Sequence, residues 1–278
     1  MHMMPGPLPA TNNRPRSWLA AAGMRAPLFL LALLAAAGCR RTEPERLRVL
    51  CGSSMAAPIQ ELGREFGRIH GIAVEIDLGG SETLLPKILT GAPADVYVCH
   101  DPFEEKVRAA GRWTGSVTVG SLQPVLAVRP GNPRGIRSVD DLQRPELKVG
   151  IGDPRYSTCG ELFVCALRQR GICEAVMKQV VLQSRSTTDV ANGLTIGPLD
   201  AAVIWNFSAV LYAGRLEVVA APLDYPDVRV TVVGLTQSPQ PHWRDAFLQW
   251  CDRPEARDLF RRHGYVRVAT PACNSRPD

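Results

Sequence analysis

Four short stretches of this chain place Ser or Thr where a strand is expected to hand over to a helix: CGSSM (51–55), GGSET (79–83), DPRYSTCGE (153–161) and QSRSTTD (183–189). The first N–H groups of a helix have no partner inside it, and its dipole puts partial positive charge at the same end. A Ser or Thr hydroxyl adds one more donor. One junction of this kind does no more than cap a helix. Four aimed at one spot would make an anion cage that needs no Lys or Arg. A cage of donors alone suits a small, fully ionised oxyanion. Hydrogen phosphate would leave its P–OH without an acceptor, at a cost of about 1–3 kcal/mol. Glu82, directly after Ser81, is expected to face solvent, because the start of a helix favours a carboxylate there.

The surrounding text alternates strand and helix. LRVLC (47–51) reads as a strand. Ile59, Leu62, Phe66 and Ile69 then fall three or four apart, one face of a helix that Gly71 ends. IAVEIDL (72–78) alternates as a half-buried strand, GGSET opens a second helix, and ADVYVCH (94–100) is the next strand. DPFEEKVRAAG (101–111) reads as a helix with Asp101 as its cap. This order predicts an α/β fold with mostly parallel sheets flanked by helices. PVLAVRP (124–130) leaves the first unit, a second alternating set follows, and VRVTVVGL (228–235) returns. WRDAFLQWC and PEARDLFRRHG close the chain as helices. Two lobes joined by two crossings leave a cleft between them, and open α/β sheets bind ligands at their carboxyl ends. The expected division is lobe 1 over 46–123 and 228–270, lobe 2 over 124–227, and a tail over 271–278.

The chain has 278 residues, 45% hydrophobic and 21% charged, with a formal net charge of +5. Arg14, Arg16 and Arg25 carry three of those charges, and no Asp or Glu precedes residue 39. No basic block remains beyond them, so no nucleic-acid partner is expected. APLFLLALLAAAG (26–38) is too short to span a bilayer and has the layout of a secretory signal. It ends in AAGC, which resembles a bacterial lipobox. That makes residues 1–38 a removed signal, Cys39 a lipid-bearing first residue and 39–45 a tether. Met24 before Arg25 is an alternative start. Seven cysteines remain after Cys39, with no CxxC pair, so no zinc site is signalled.

With these residues in place, the chain resembles the molybdate-binding proteins of ABC importers, two-lobed periplasmic binding proteins, over 46–266. The likeness rests on VLCGSSMAAPIQELGREF, GGSETLLPKILTGAPADVYV, VGIGDPRYSTCGEL and LDAAVIW followed by PEARDLF. The resemblance implies an oxyanion, molybdate or tungstate, held by Ser hydroxyls and backbone N–H groups, with ABC permease subunits as partners. It implies no cofactor and no catalysis. Carried over, Ser54 and Ser81 match the two serines, and Cys159 and Thr187 match backbone N–H donors. Trp205 stands where Tyr is usual, and Glu82 where Gly is usual.

One alternative is capture of a metal cation or thiophilic species by Cys99, His100 and Glu82, since thiols and imidazole suit soft metals. Cys99 and His100 point to opposite faces of a strand, which disfavours shared ligation. The same divergence argues against a Cys99–His100–Asp101 catalytic relay. A regulator is disfavoured because no helix-turn-helix precedes the lobes and an export signal does.

Overall fold

The computed structural model describes residues 45–219 and 225–266. The chain runs β1 (Arg46–Gly52), a 3-10 turn (Ser53–Met55), α1 (Ala56–His70), β2 (Ala73–Gly79), α2 (Ser81–Leu89), β3 (Val96–His100), α3 (Phe103–Ala109) and β4 (Trp113–Leu122). It continues through β5 (Pro124–Val128), a second 3-10 turn (Asp140–Gln143), β6 (Val149–Gly152), α4 (Thr158–Gln169), α5 (Cys173–Met177), β7 (Val180–Ser184), α6 (Thr187–Thr195), β8 (Ala201–Trp205), α7 (Phe207–Leu211) and β9 (Glu217–Val218). β10 (Val228–Leu235), α8 (Pro241–Cys251) and α9 (Pro254–Arg262) complete it.

The strands form two five-stranded sheets, ordered β2-β1-β3-β10-β4 and β7-β6-β8-β5-β9. In the first, β1 pairs in parallel with β2 and β3, whereas β10 is antiparallel to β3 and β4. In the second, β6 is parallel to β7 and β8, and β5 is antiparallel to β8. The fold is therefore the expected two-lobed α/β type, with mixed sheets in place of mostly parallel ones, because β5 and β10 cross between the lobes and run antiparallel to their neighbours. The central strands are buried on both faces, as in VYVCH of β3 and AAVIW of β8, because helices cover both sides.

The sheets are joined at Gln123, between β4 and β5. Gln123 donates its backbone N–H to Asn206 Oδ1 (2.9 Å) and accepts from the Asn206 N–H (2.9 Å). Its side-chain amide donates to Asp227 Oδ1 (3.0 Å), just before β10. Phe207 and Tyr265 stack nearly parallel, 5.8 Å between centroids.

Several local expectations shift. α1 buries Ile59, Leu62, Gly63 and Phe66, but Ile69 is 49% exposed at its last turn. Gly71 does end the helix, in the left-handed conformation (φ 68°) that suits Gly. Asp101 does not cap α3. Its carboxylate instead accepts from the Arg229 backbone N–H and both prongs of the Arg229 guanidinium (2.9–3.0 Å), tying β3 to β10. β4 carries no clear strand signal in the sequence, because WTGSVTVGSL mixes two glycines with polar residues.

Candidate functional site

The four Ser/Thr junctions lie at the carboxyl ends of β1, β2, β6 and β7. Those ends face one cavity of about 190 Å³. Pockets for drug-sized ligands run to roughly 300–1,000 Å³, so this one fits a smaller solute.

From the first sheet, Ser53, Ser54 and Met55 of the 3-10 turn line the cavity, with Gly80, Ser81 and Glu82 at the start of α2 and His100 at the end of β3. Two buried tyrosines fix these loops from behind. The Tyr97 hydroxyl donates to the Ser81 carbonyl (3.0 Å), and the Tyr265 hydroxyl donates to the Ser54 carbonyl. A Cβ on Gly52 would stand 3.0 Å from the Ser81 hydroxyl, so Gly52 is what lets the two serine loops lie side by side.

From the second sheet come Tyr156, Ser157 and Thr158 before and at the start of α4, then Arg185, Ser186, Thr187 and Thr188 around the start of α6, and Trp205 at the end of β8. α4 reaches the cavity by close approach. Gly160 packs directly on the Gly152 carbonyl, with no room for a Cβ.

None of the helices α2, α4 and α6 is capped by a side chain. Ser54, Ser157, Thr158, Thr187 and Thr188 make no side-chain hydrogen bond among the described residues, and Ser81 meets only the Tyr97 hydroxyl behind it. Yet Ser157 and Thr187 are only 8% and 5% exposed. Buried hydroxyls normally have partners. Here they and the first-turn N–H groups are left over, aimed at one space from both lobes.

The predicted site residues separate accordingly. Ser54, Ser81, Thr187 and Trp205 share the cavity, as do His100 and Glu82. Cys159 does not line it. Its thiol is wholly buried and Ser157 and Thr158 take the lining positions, while the Cys159 backbone N–H, the group the resemblance implies, stands in the uncapped first turn of α4. Cys99 is also wholly buried, with its thiol 3.6 Å from the Thr231 hydroxyl, and does not line the cavity. Burial pushes the Cys99 thiol up to about 12 and pushes Cys51 and Cys159 up further. In the free protein these thiols stay protonated. Among the described residues no group of three or more His, Cys, Asp and Glu is placed to hold an ion. The Cys99–His100–Glu82 metal set is therefore not assembled. Cys39 lies outside the described residues.

Three features correct the picture of a cage of neutral donors. Glu82 does not turn to solvent. It is partly buried, lines the cavity and lays its carboxylate against Gly80. Arg185 also lines the cavity, its guanidinium 3.9 Å over the Tyr156 ring. Arg155, forked onto Asp153 at 2.7 and 3.0 Å, sits 5.3 Å from the same ring. Arg185 and Tyr156 were legible inside the Ser/Thr stretches themselves, but nothing in their spacing marked them as facing the cleft. Third, His100 brings an imidazole into the cavity, edge-on to Phe103 (5.5 Å) and tilted against Trp205 (5.9 Å).

The family model of bacterial extracellular solute-binding proteins matches residues 47–266. The chain belongs to that family. Among curated relatives of this solute-binding protein, the molybdate-binding protein ModA of Mycobacterium tuberculosis (strain ATCC 25618 / H37Rv) is 26% identical over 223 residues, 79% of this chain and 84% of its own length. Among solved structures, the periplasmic molybdate-binding protein of Azotobacter vinelandii superposes with a TM-score of 0.67 at 19% identity, covering 80% of this chain and all of that one. The sulfate-binding protein SubI of M. tuberculosis H37Rv gives 0.66 at 21% identity, covering 80% and 86%. At such identities the structural likeness speaks for the fold, and the resemblance read from the sequence holds at that level.

Proposed function

We propose that this solute-binding protein captures a small tetrahedral oxyanion of the molybdate and tungstate class and hands it to an ABC permease. The observation that carries this reading is the set of unpartnered Ser and Thr hydroxyls and uncapped helix starts that converge on one small cavity from both lobes. Ser54 and Ser81 act as hydroxyl donors on one side. Thr187 and the α4 start, where Ser157 and Thr158 line the space, supply donors on the other. Arg185 adds attraction at the rim, and Trp205 offers an indole N–H where the resemblance implies a Tyr hydroxyl. The relative named for molybdate supports this choice within the oxyanion class.

Membership in an extracellular family supports an extracytoplasmic location, and AAGC supports tethering at Cys39. Cys39→Ser is expected to release the protein from the membrane fraction. Retention of that variant would remove the anchor from the proposal. The ligand is tested by calorimetric titration with molybdate, tungstate, sulfate, phosphate and divalent metals after dialysis against a chelator. Saturable binding of molybdate or tungstate is expected. Binding of a divalent metal with no oxyanion response would overturn the reading.

A further inference from the structure

His100 gives the cleft something its other lining residues withhold. The residue is 9% exposed and lines the cavity. Its Nδ1 lies 2.8 Å from the Asp101 carbonyl oxygen. A carbonyl oxygen only accepts, so Nδ1 carries the hydrogen of that bond. A neutral imidazole protonated at Nδ1 has a bare lone pair at Nε2. Nε2 has no hydrogen-bond partner among the described residues, and it is not among the fully enclosed unpaired atoms, so it keeps access to the space the ring lines.

The charged groups around the ring are few. Asp101 is adjacent in the chain and is neutralised by the Arg229 fork from β10. Glu82 faces it from the start of α2, and Arg185 lines the same cavity from the second sheet. Phe103 of α3 and Trp205 of β8 contribute rings only. Burial, the largest influence, pushes the His100 pKa down, against the opposing pull of the Asp101 carbonyl and of the Asp101 and Glu82 charges. Without ligand the ring is therefore neutral near neutral pH.

Every oxygen of a fully ionised oxyanion is an acceptor, so a bare lone pair beside it repels. The contact becomes favourable only if a proton lies between them. Resting on the oxyanion reading, we infer that the cleft binds its ligand together with one proton, shared between a ligand oxygen and Nε2 of His100. A dianion such as molybdate brings no proton. Nε2 then takes one from solvent or a buffer acid, which is left as its conjugate base, and the resulting imidazolium donates to the anion. Hydrogen phosphate carries its own proton and donates it to the bare Nε2 with no net uptake. His100 thus sets how the cleft chooses among oxyanions, and it makes the choice depend on pH.

The sign follows from linkage. The free protein holds the His100 pKa down and a bound dianion raises it. Between those two values the affinity for molybdate falls about tenfold per pH unit as pH rises, and below the free value it is flat.

The test is calorimetric titration of the purified protein with sodium molybdate at about pH 8, in two buffers that differ in protonation enthalpy, with affinity followed from about pH 6 to 8.5. The wild type should take up close to one proton per molybdate and lose affinity about tenfold per unit over the upper part of that range. His100→Gln puts a non-titrating amide donor within reach of the Nε2 position. It should bind molybdate with neither uptake nor slope, while Glu82→Gln keeps both. Tight molybdate binding by the wild type with no uptake and a flat profile would overturn the inference and leave the oxyanion reading standing. Uptake that vanishes in Glu82→Gln would move the proton to that carboxylate, again against the inference. Failure of both molybdate and tungstate to bind anywhere in the range would overturn the reading and the inference with it.

Discussion

At the scale of single residues, the proposed site rests on two serines whose main-chain carbonyls already have partners. Ser54 and Ser81 are each held from behind by a tyrosine that binds the main-chain oxygen, so removing the hydroxyl leaves the loop anchored. Ser54→Ala and Ser81→Ala should each cost about 1.5–3 kcal/mol of oxyanion binding, the range for hydrogen bonds to a charged partner, without altering thermal stability of the free protein. Affinity unchanged in both variants would place the ligand elsewhere. Arg185 acts differently, as an exposed charge at the rim. Arg185→Gln should weaken binding by only about 0.2–1 kcal/mol and flatten its salt dependence. An unchanged salt dependence would take Arg185 out of the site. The cysteines give an independent check on thiol chemistry in the cleft. Cys51, Cys99, Cys159 and Cys251 are buried with thiols pushed up by burial, whereas Cys165 is exposed. In the folded protein iodoacetamide should modify Cys165 well before those four. Modification of Cys99 at a comparable rate would mean its thiol reaches solvent after all.

At the scale of elements, the close contact between Gly160 and Gly152 decides how near the start of α4 comes to the cleft. Gly160→Ala puts a methyl group into the Gly152 carbonyl and forces the helix back. The expected result is a loss of about 1–3 kcal/mol in stability and a larger drop in ligand affinity than any single hydroxyl explains. Gly115→Ala is the control. That glycine stands in open space on β4, and its replacement should stay within about 0.5 kcal/mol of wild type in a denaturant titration. A neutral Gly160→Ala would show that α4 can shift without consequence. The same elements explain what could be read from sequence. β8 is a continuous apolar run, β1 and β10 set apolar residues between Arg48, Arg229 and Thr231, and three helices start at Ser81, Thr158 and Thr187, so periodicity and punctuation located them. β4 alternates weakly and carries glycines, and its register against β10 shifts twice, so its pattern was set by a partner far along the chain. The site was legible where function sits on local signals, the Ser/Thr junctions. It was not legible where it depends on which face of a strand or loop meets the other lobe, because nothing in the spacing of His100, Glu82 and Arg185 says that all three line the cleft.

At the scale of the whole molecule, what matters is that neither lobe holds a complete cage. Ser53, Ser54, Ser81 and His100 come from the first sheet, and Ser157, Thr158, Thr187 and Trp205 from the second. A ligand between them cross-links two halves that the chain itself connects at Gln123 and again on the way into β10. Binding to the native state alone raises its stability by about 2.7 kcal/mol at a ligand concentration a hundredfold above Kd. For a domain of this size each kcal/mol moves Tm by about 2–4 °C, so saturating molybdate should raise Tm by roughly 5–11 °C. The double variant Ser54→Ala, Ser81→Ala tests whether the cross-link is real. It leaves every donor of the second lobe in place. If the anion bridges the lobes, the Tm shift should collapse in this variant, because both hydroxyl donors assigned to the first lobe are gone. If the full shift survives, the second lobe holds the ligand unaided, and the bridging geometry, with the role given to Ser54 and Ser81, is wrong.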